Sequence, residues 1–114
     1  MSRSSARRVT DALQAIDRCR RYADALGSED VDVADMAEDA IERNLQIIGE
    51  AVNHLPAEVT DQHPEIAWQQ IRGFRNILVH QYFGVDVAVV REVVENYLPP
   101  LADVLRRHVV TDEG

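Results

Sequence analysis

The stretch MAEDAIERNLQIIGEAV, Met36–Val52, decides the fold class. Met36, Ala40, Ile41, Leu45, Ile48 and Val52 recur at threes and fours, while acids, Arg43 and Gln46 fill the other positions. That period is the stripe of an amphipathic α-helix and is incompatible with the alternation of a half-buried strand. Asp32 or Asp35 is expected to cap this helix, and His54 and Pro56 to end it.

Outward from that stretch the pattern stays helical. Val9, Leu13, Ile16, Cys19 or Arg20, Ala23 and Leu26 form a stripe that stops at Gly27, and they predict a first helix of about five turns. Ala57–Pro64 reads as a turn-rich connection with one short helical turn. A third helix is expected from Pro64 or Glu65 to Tyr82, and Gly84 and Asp86 punctuate the entry to a fourth. The valines of Val85–Val94 are helical rather than strand-forming, because their acids and arginine fall at helical positions. Pro99-Pro100 is expected to kink or restart the last helix, since proline has no N–H to donate and its ring clashes with the preceding turn. The expected fold is therefore all-α: an antiparallel bundle of four main helices, in one domain covering residues 1–114.

Composition closes off other classes. The net charge is -8, with 12 arginines and no lysine. Cys19 is the only cysteine, so neither an internal disulfide nor a cysteine-based zinc site is expected, and a reducing, cytoplasmic setting fits. No apolar run approaches a membrane span, and no apolar stretch follows the arginines of Met1–Arg8 as a secretory signal would require. The spacing of His54, His63 and His108 matches no metal motif, and these three are expected at the surface. Trp68, Tyr22 and Tyr97 read as packing residues. The charge is uneven. Eleven acids and one base occupy Glu29–Glu65, whereas Ile66–Val85 holds Arg72, Arg75 and His80 and no acid.

That basic window contains RNILVHQY, Arg75–Tyr82. A guanidinium binds phosphate through two parallel hydrogen bonds and remains charged. An imidazole can take and return a proton near neutrality. Together they suffice for metal-independent RNA cleavage, in which His80 deprotonates a ribose 2′-hydroxyl and Arg75 stabilises charge on the phosphoryl oxygens. A second acid for the leaving oxygen could come from a symmetry-related copy. The spacing alone is common on helices, where the plainer reading is a solvated face.

AIERNLQIIGEA (Ala40–Ala51) and WQQIRGFRNILVHQYF (Trp68–Phe83) together resemble the HepT-like family, ribonuclease toxins of the HEPN superfamily encoded beside a minimal nucleotidyltransferase antitoxin. The resemblance runs from about Asp11 to about His108. It implies a helical bundle that dimerises and an endoribonuclease needing no metal or other cofactor, with RNA as substrate. It assigns Arg75 and His80 as the catalytic pair, Asn76 as a supporting polar residue, and Tyr82 as the acceptor of AMP from the partner nucleotidyltransferase. AMP on Tyr82 would set a phosphate against Arg75 and repel RNA. Gly49, in the matching I-G-E-A segment, most simply permits close helix packing. The alternative is a non-catalytic helical dimer that binds and regulates a nucleotidyltransferase, a reading the acidic surface favours.

Overall fold

The computed structural model describes residues 3–76 and 87–109. Every regular element among them is helical. Helix α1 spans Arg3–Tyr22 and tightens into a 3-10 turn at Ala23–Gly27. Helix α2 spans Val31–Asn53, α3 Ala57–Asp61 and α4 Trp68–Arg72, followed by a 3-10 turn at Gly73–Asn76. Helix α5 spans Val87–Glu92, passes through a π turn at Val93–Tyr97, and α6 completes the element at Leu98–Val109. This is the all-α bundle expected from the period.

The core explains why the stripes coalesce. Ile16 of α1, Ile41, Leu45 and Ile48 of α2, Ile71 of α4, and Leu98, Leu101 and Leu105 of α6 are all essentially inaccessible and belong to one cluster. Burying a leucine or isoleucine contributes roughly 1.5–3 kcal/mol, so these stripes dictate how α1, α2 and α6 pack. The Cys19 Sγ donates to the Ile41 carbonyl at 3.7 Å across the α1–α2 seam. Burial pushes its thiol up to about 12, so it is an inert core group.

Several local expectations change. The cap of α2 is Asp30, not Asp32 or Asp35: its Oδ1 accepts from the amides of Asp32 at 3.0 Å and Val33 at 3.4 Å. Met36 does not face the core. Counting back one turn from Ile41 lands on Ala37, which is buried, while Met36 is rotated away and 69% exposed. The third helix starts at Trp68 rather than Pro64, because His63–Ala67 is used to seat Trp68, whose indole donates to the His63 carbonyl at 2.9 Å. His63 is buried and meets His108 Nε2 to Nε2 at 3.1 Å, which corrects its surface assignment. The irregularity assigned to Pro99-Pro100 falls just ahead of them. The carbonyls of Glu95 and Asn96 have no N–H to accept from four residues on, and the chain widens into the π turn there. Asp86, expected at the entry to the fourth helix, lies outside the described residues.

Candidate active-site cleft

The site begins with a glycine. A Cβ on Gly49 would lie 2.6 Å from the Arg75 amide nitrogen and 2.9 Å from the Ile71 carbonyl oxygen. No side chain fits there, so α2 packs backbone to backbone against the end of α4 and the turn that carries Arg75. One turn earlier on α2, Gln46 donates from Nε2 to the Arg75 carbonyl at 3.1 Å. The chain thus holds Arg75 by its backbone from two sides while its side chain stays exposed.

An open cleft of about 470 Å³ lies at this junction. Its walls come from three elements: Arg8 and Asp11 of α1, Arg43, Gln46, Ile47, Glu50 and Ala51 of α2, and Arg75 and Asn76 of the turn. Residues three or four apart share a helix face, which is why Arg43, Gln46, Ile47 and Glu50 line it together. The Arg43 guanidinium donates from Nη1 to Gln46 Oε1 at 3.2 Å. Gln46 therefore bridges Arg43 and Arg75. Among the described residues, none of Arg8, Arg43 and Arg75 is in an ion pair. Three guanidiniums against two carboxylates leave the cleft cationic on a chain of net charge -8. Such a cleft focuses the field toward anionic ligands.

Of the site residues expected from sequence, Arg75 and Asn76 come together in this cleft. His80 and Tyr82 lie outside the described residues. The turn at Gly73–Asn76 is 3-10 rather than α, so Arg75 does not sit on the α-helix expected from Pro64 or Glu65 to Tyr82. Sequence reasoning gave no role to Arg8, Asp11, Arg43, Gln46 or Glu50. The signal was available in part: Arg43, Gln46 and Glu50 form a polar strip beside the packing glycine. Arg8 carried none, because only tertiary packing brings α1 alongside. Glu42 was also missed. It is 1% exposed, and a carboxylate at that depth is retained only with compensating interactions. No group of three or more metal-ligating side chains occurs among the described residues. No helix among them is long and apolar enough to cross a membrane.

The structure is thus an all-helical bundle with an arginine at the mouth of a cationic cleft. Residues 12–108 match the family described as "Ribonuclease HepT-like", and the chain belongs to that family, within the HEPN superfamily. It is 35% identical over 101 residues to the "Probable ribonuclease HepT" of Thermococcus cleftensis, covering 89% of this chain and 92% of that one. It is 33% identical over 91 residues to the "Gamma-glutamylcyclotransferase and putative RNase" of Methanocaldococcus jannaschii, covering 80% of this chain and 41% of the relative. A "Putative RNase" of Caldanaerobacter subterraneus subsp. tengcongensis is 42% identical over 62 residues, 54% of this chain and 55% of that one. The chain thus spans about half or less of the length of these last two relatives. No solved structure gives a significant match.

Proposed function

We propose that the chain is a metal-independent endoribonuclease toxin of a type VII-like toxin–antitoxin pair, acting in the cytoplasm as a homodimer. The observation that carries this reading is an exposed Arg75, backbone-clamped at Gly49 and Gln46, on the rim of a cationic cleft in a chain of a ribonuclease family. His80 takes the proton of a ribose 2′-hydroxyl, and the 2′-oxygen bonds to the adjacent phosphorus. The P–O5′ bond breaks, leaving a 2′,3′-cyclic phosphate, and the departing 5′-oxygen takes a proton from an acid that the second copy of the dimer supplies. Arg75 neutralises charge on the non-bridging oxygens as the five-coordinate phosphorus forms. Asn76, beside it on the turn, adds an amide donor to the same rim. AMP transferred to Tyr82 by a cognate nucleotidyltransferase silences the enzyme by occupying Arg75 with a tethered phosphate.

The test is cleavage of single-stranded RNA in a chelator by the purified chain. Arg75→Ala and His80→Ala are each expected to slow cleavage by about a hundredfold or more. Intact RNA with the wild type, or cutting by both variants at the wild-type rate, overturns the reading. Tyr82→Phe is expected to accept no AMP from the partner enzyme, and full labelling of that variant moves the acceptor elsewhere.

One observation favours a second reading, a non-catalytic module that docks and regulates a nucleotidyltransferase. The first half of α2 crowds Asp32, Asp35, Glu38 and Asp39 around exposed Val33 and Met36, a surface suited to protein rather than RNA. Expression of the chain alone separates the two: growth arrest that Arg75→Ala relieves supports the nuclease, and unimpaired growth with soluble protein present supports the module.

A further inference from the structure

The cleft holds more guanidiniums than a single scissile phosphate needs. Arg75 addresses one phosphodiester, yet Arg8 of α1 and Arg43 of α2 line the same cavity, and neither is in an ion pair among the described residues. Asp11 and Glu50 share these walls, yet no ion pair joins them to Arg8 or Arg43 among the described residues, which leaves both guanidiniums available to an anionic ligand. Resting on the ribonuclease reading, we propose that Arg8 and Arg43 form a second phosphate-binding site. It grips the RNA backbone beside the phosphodiester that Arg75 addresses, and Gln46 is the positioning residue that couples the two sites.

Three observations carry this. The cleft, about 470 Å³, is well within the size range of pockets that enclose a small ligand, so it has room for a nucleotide-sized length of backbone. Among the described residues its lining has no aromatic ring on which a base could stack, so the grip is on phosphate and is tolerant of sequence. Finally, Gln46 accepts from Arg43 Nη1 at 3.2 Å and donates to the Arg75 carbonyl at 3.1 Å. Its amide fixes the Arg43 guanidinium relative to the backbone that carries Arg75, and thereby sets the separation of the two phosphate positions. Asp11 and Glu50 on the same walls oppose phosphate and hold the affinity down. On a chain of charge -8 this leaves a local grip without general RNA adhesion.

The experiment pairs binding of an uncleavable 2′-O-methyl oligonucleotide, followed by fluorescence anisotropy over a salt series, with cleavage of the matching RNA. Arg8→Ala and Arg43→Ala are each expected to weaken binding by about tenfold and to reduce the salt slope by about 0.7, the value of one single-strand phosphate contact. Under cleavage they raise KM while kcat stays within about threefold. Arg8→Lys and Arg43→Lys recover most of the binding, and Asp11→Asn tightens it. Gln46→Ala weakens binding in the wild type and adds nothing in the Arg43→Ala background, because the two act as a unit. Alanine variants that keep the helical signal of the wild type and bind with its affinity and slope overturn the proposal, as does a fall in kcat at unchanged KM. RNA cleaved normally by those variants leaves the ribonuclease reading intact. A wild type that binds through Arg8 and Arg43 yet never cuts removes the ribonuclease reading and leaves the phosphate site standing. One that neither binds nor cuts removes both.

Discussion

The two halves of α2 meet different surroundings. In the second half Leu45, Ile48 and Val52 are wholly buried, Gly49 presses backbone to backbone on the Arg75 turn, and Arg43 and Gln46 open into the cleft. In the first half Val31 and Met36 are each 69% exposed and four carboxylates crowd together. One continuous helix thus serves as structural keel at one end and as an acidic, partly apolar surface at the other. The lesson is that helical period alone does not report burial. What decides it is each residue's phase on the helix together with the element packed alongside, and the Arg75 turn meets α2 at Gly49, in the second half.

That contrast can be broken by substitution. Leu45→Ala should lose about 3 kcal/mol of stability through lost burial and the cavity left behind, against less than about 0.5 kcal/mol for Met36→Ala. Denaturant midpoints compare them, and equal losses would erase the distinction between the halves. Gly49→Ala comes next, at about 2 kcal/mol, because the new methyl meets backbone rather than a yielding side chain. It should also impair RNA cleavage beyond its effect on folding, since Arg75 must shift with its amide; full activity in the folded variant would separate the glycine from the site.

The smallest effect belongs to the acidic half. Burial, and then the charges of Glu42, Asp35 and Asp39, raise the Glu38 carboxyl above its ordinary range. Its folded form therefore favours the proton. The associated stability is complete below the ordinary carboxylate range and is lost as pH rises through the raised value. Glu38→Gln should lift the melting temperature at neutral pH by about one or two degrees and leave it unchanged in acid. A drop at neutral pH would mean that Glu38 has a favourable partner.

Much of the fold was legible residue by residue. Ile41, Leu45, Ile48 and Val52 announced α2, and Val9, Leu13 and Ile16 announced α1, because a 3.6-residue stripe of branched apolar residues has one stable use in water. The cap was misread because Asp30, Asp32 and Asp35 are chemically equivalent, and only backbone geometry selects the one whose carboxylate reaches two free amides. Met36 was misread because a single residue's shift along the helix rotates it by about 100° out of the core. His63 looked like a surface histidine because nothing local shows that Trp68 and His108 close over it.

The chain's local chemistry settled the helical class, since an apolar stripe depends on neighbours within a turn or two, whereas Arg75 and Gly49 were singled out by the family resemblance rather than by local spacing. Packing alone assembled Arg8, Arg43 and Arg75 into one cleft and joined the last two through Gln46. Those groups come from α1, α2 and the turn after α4, and no periodicity along the sequence encodes how separate helices dock.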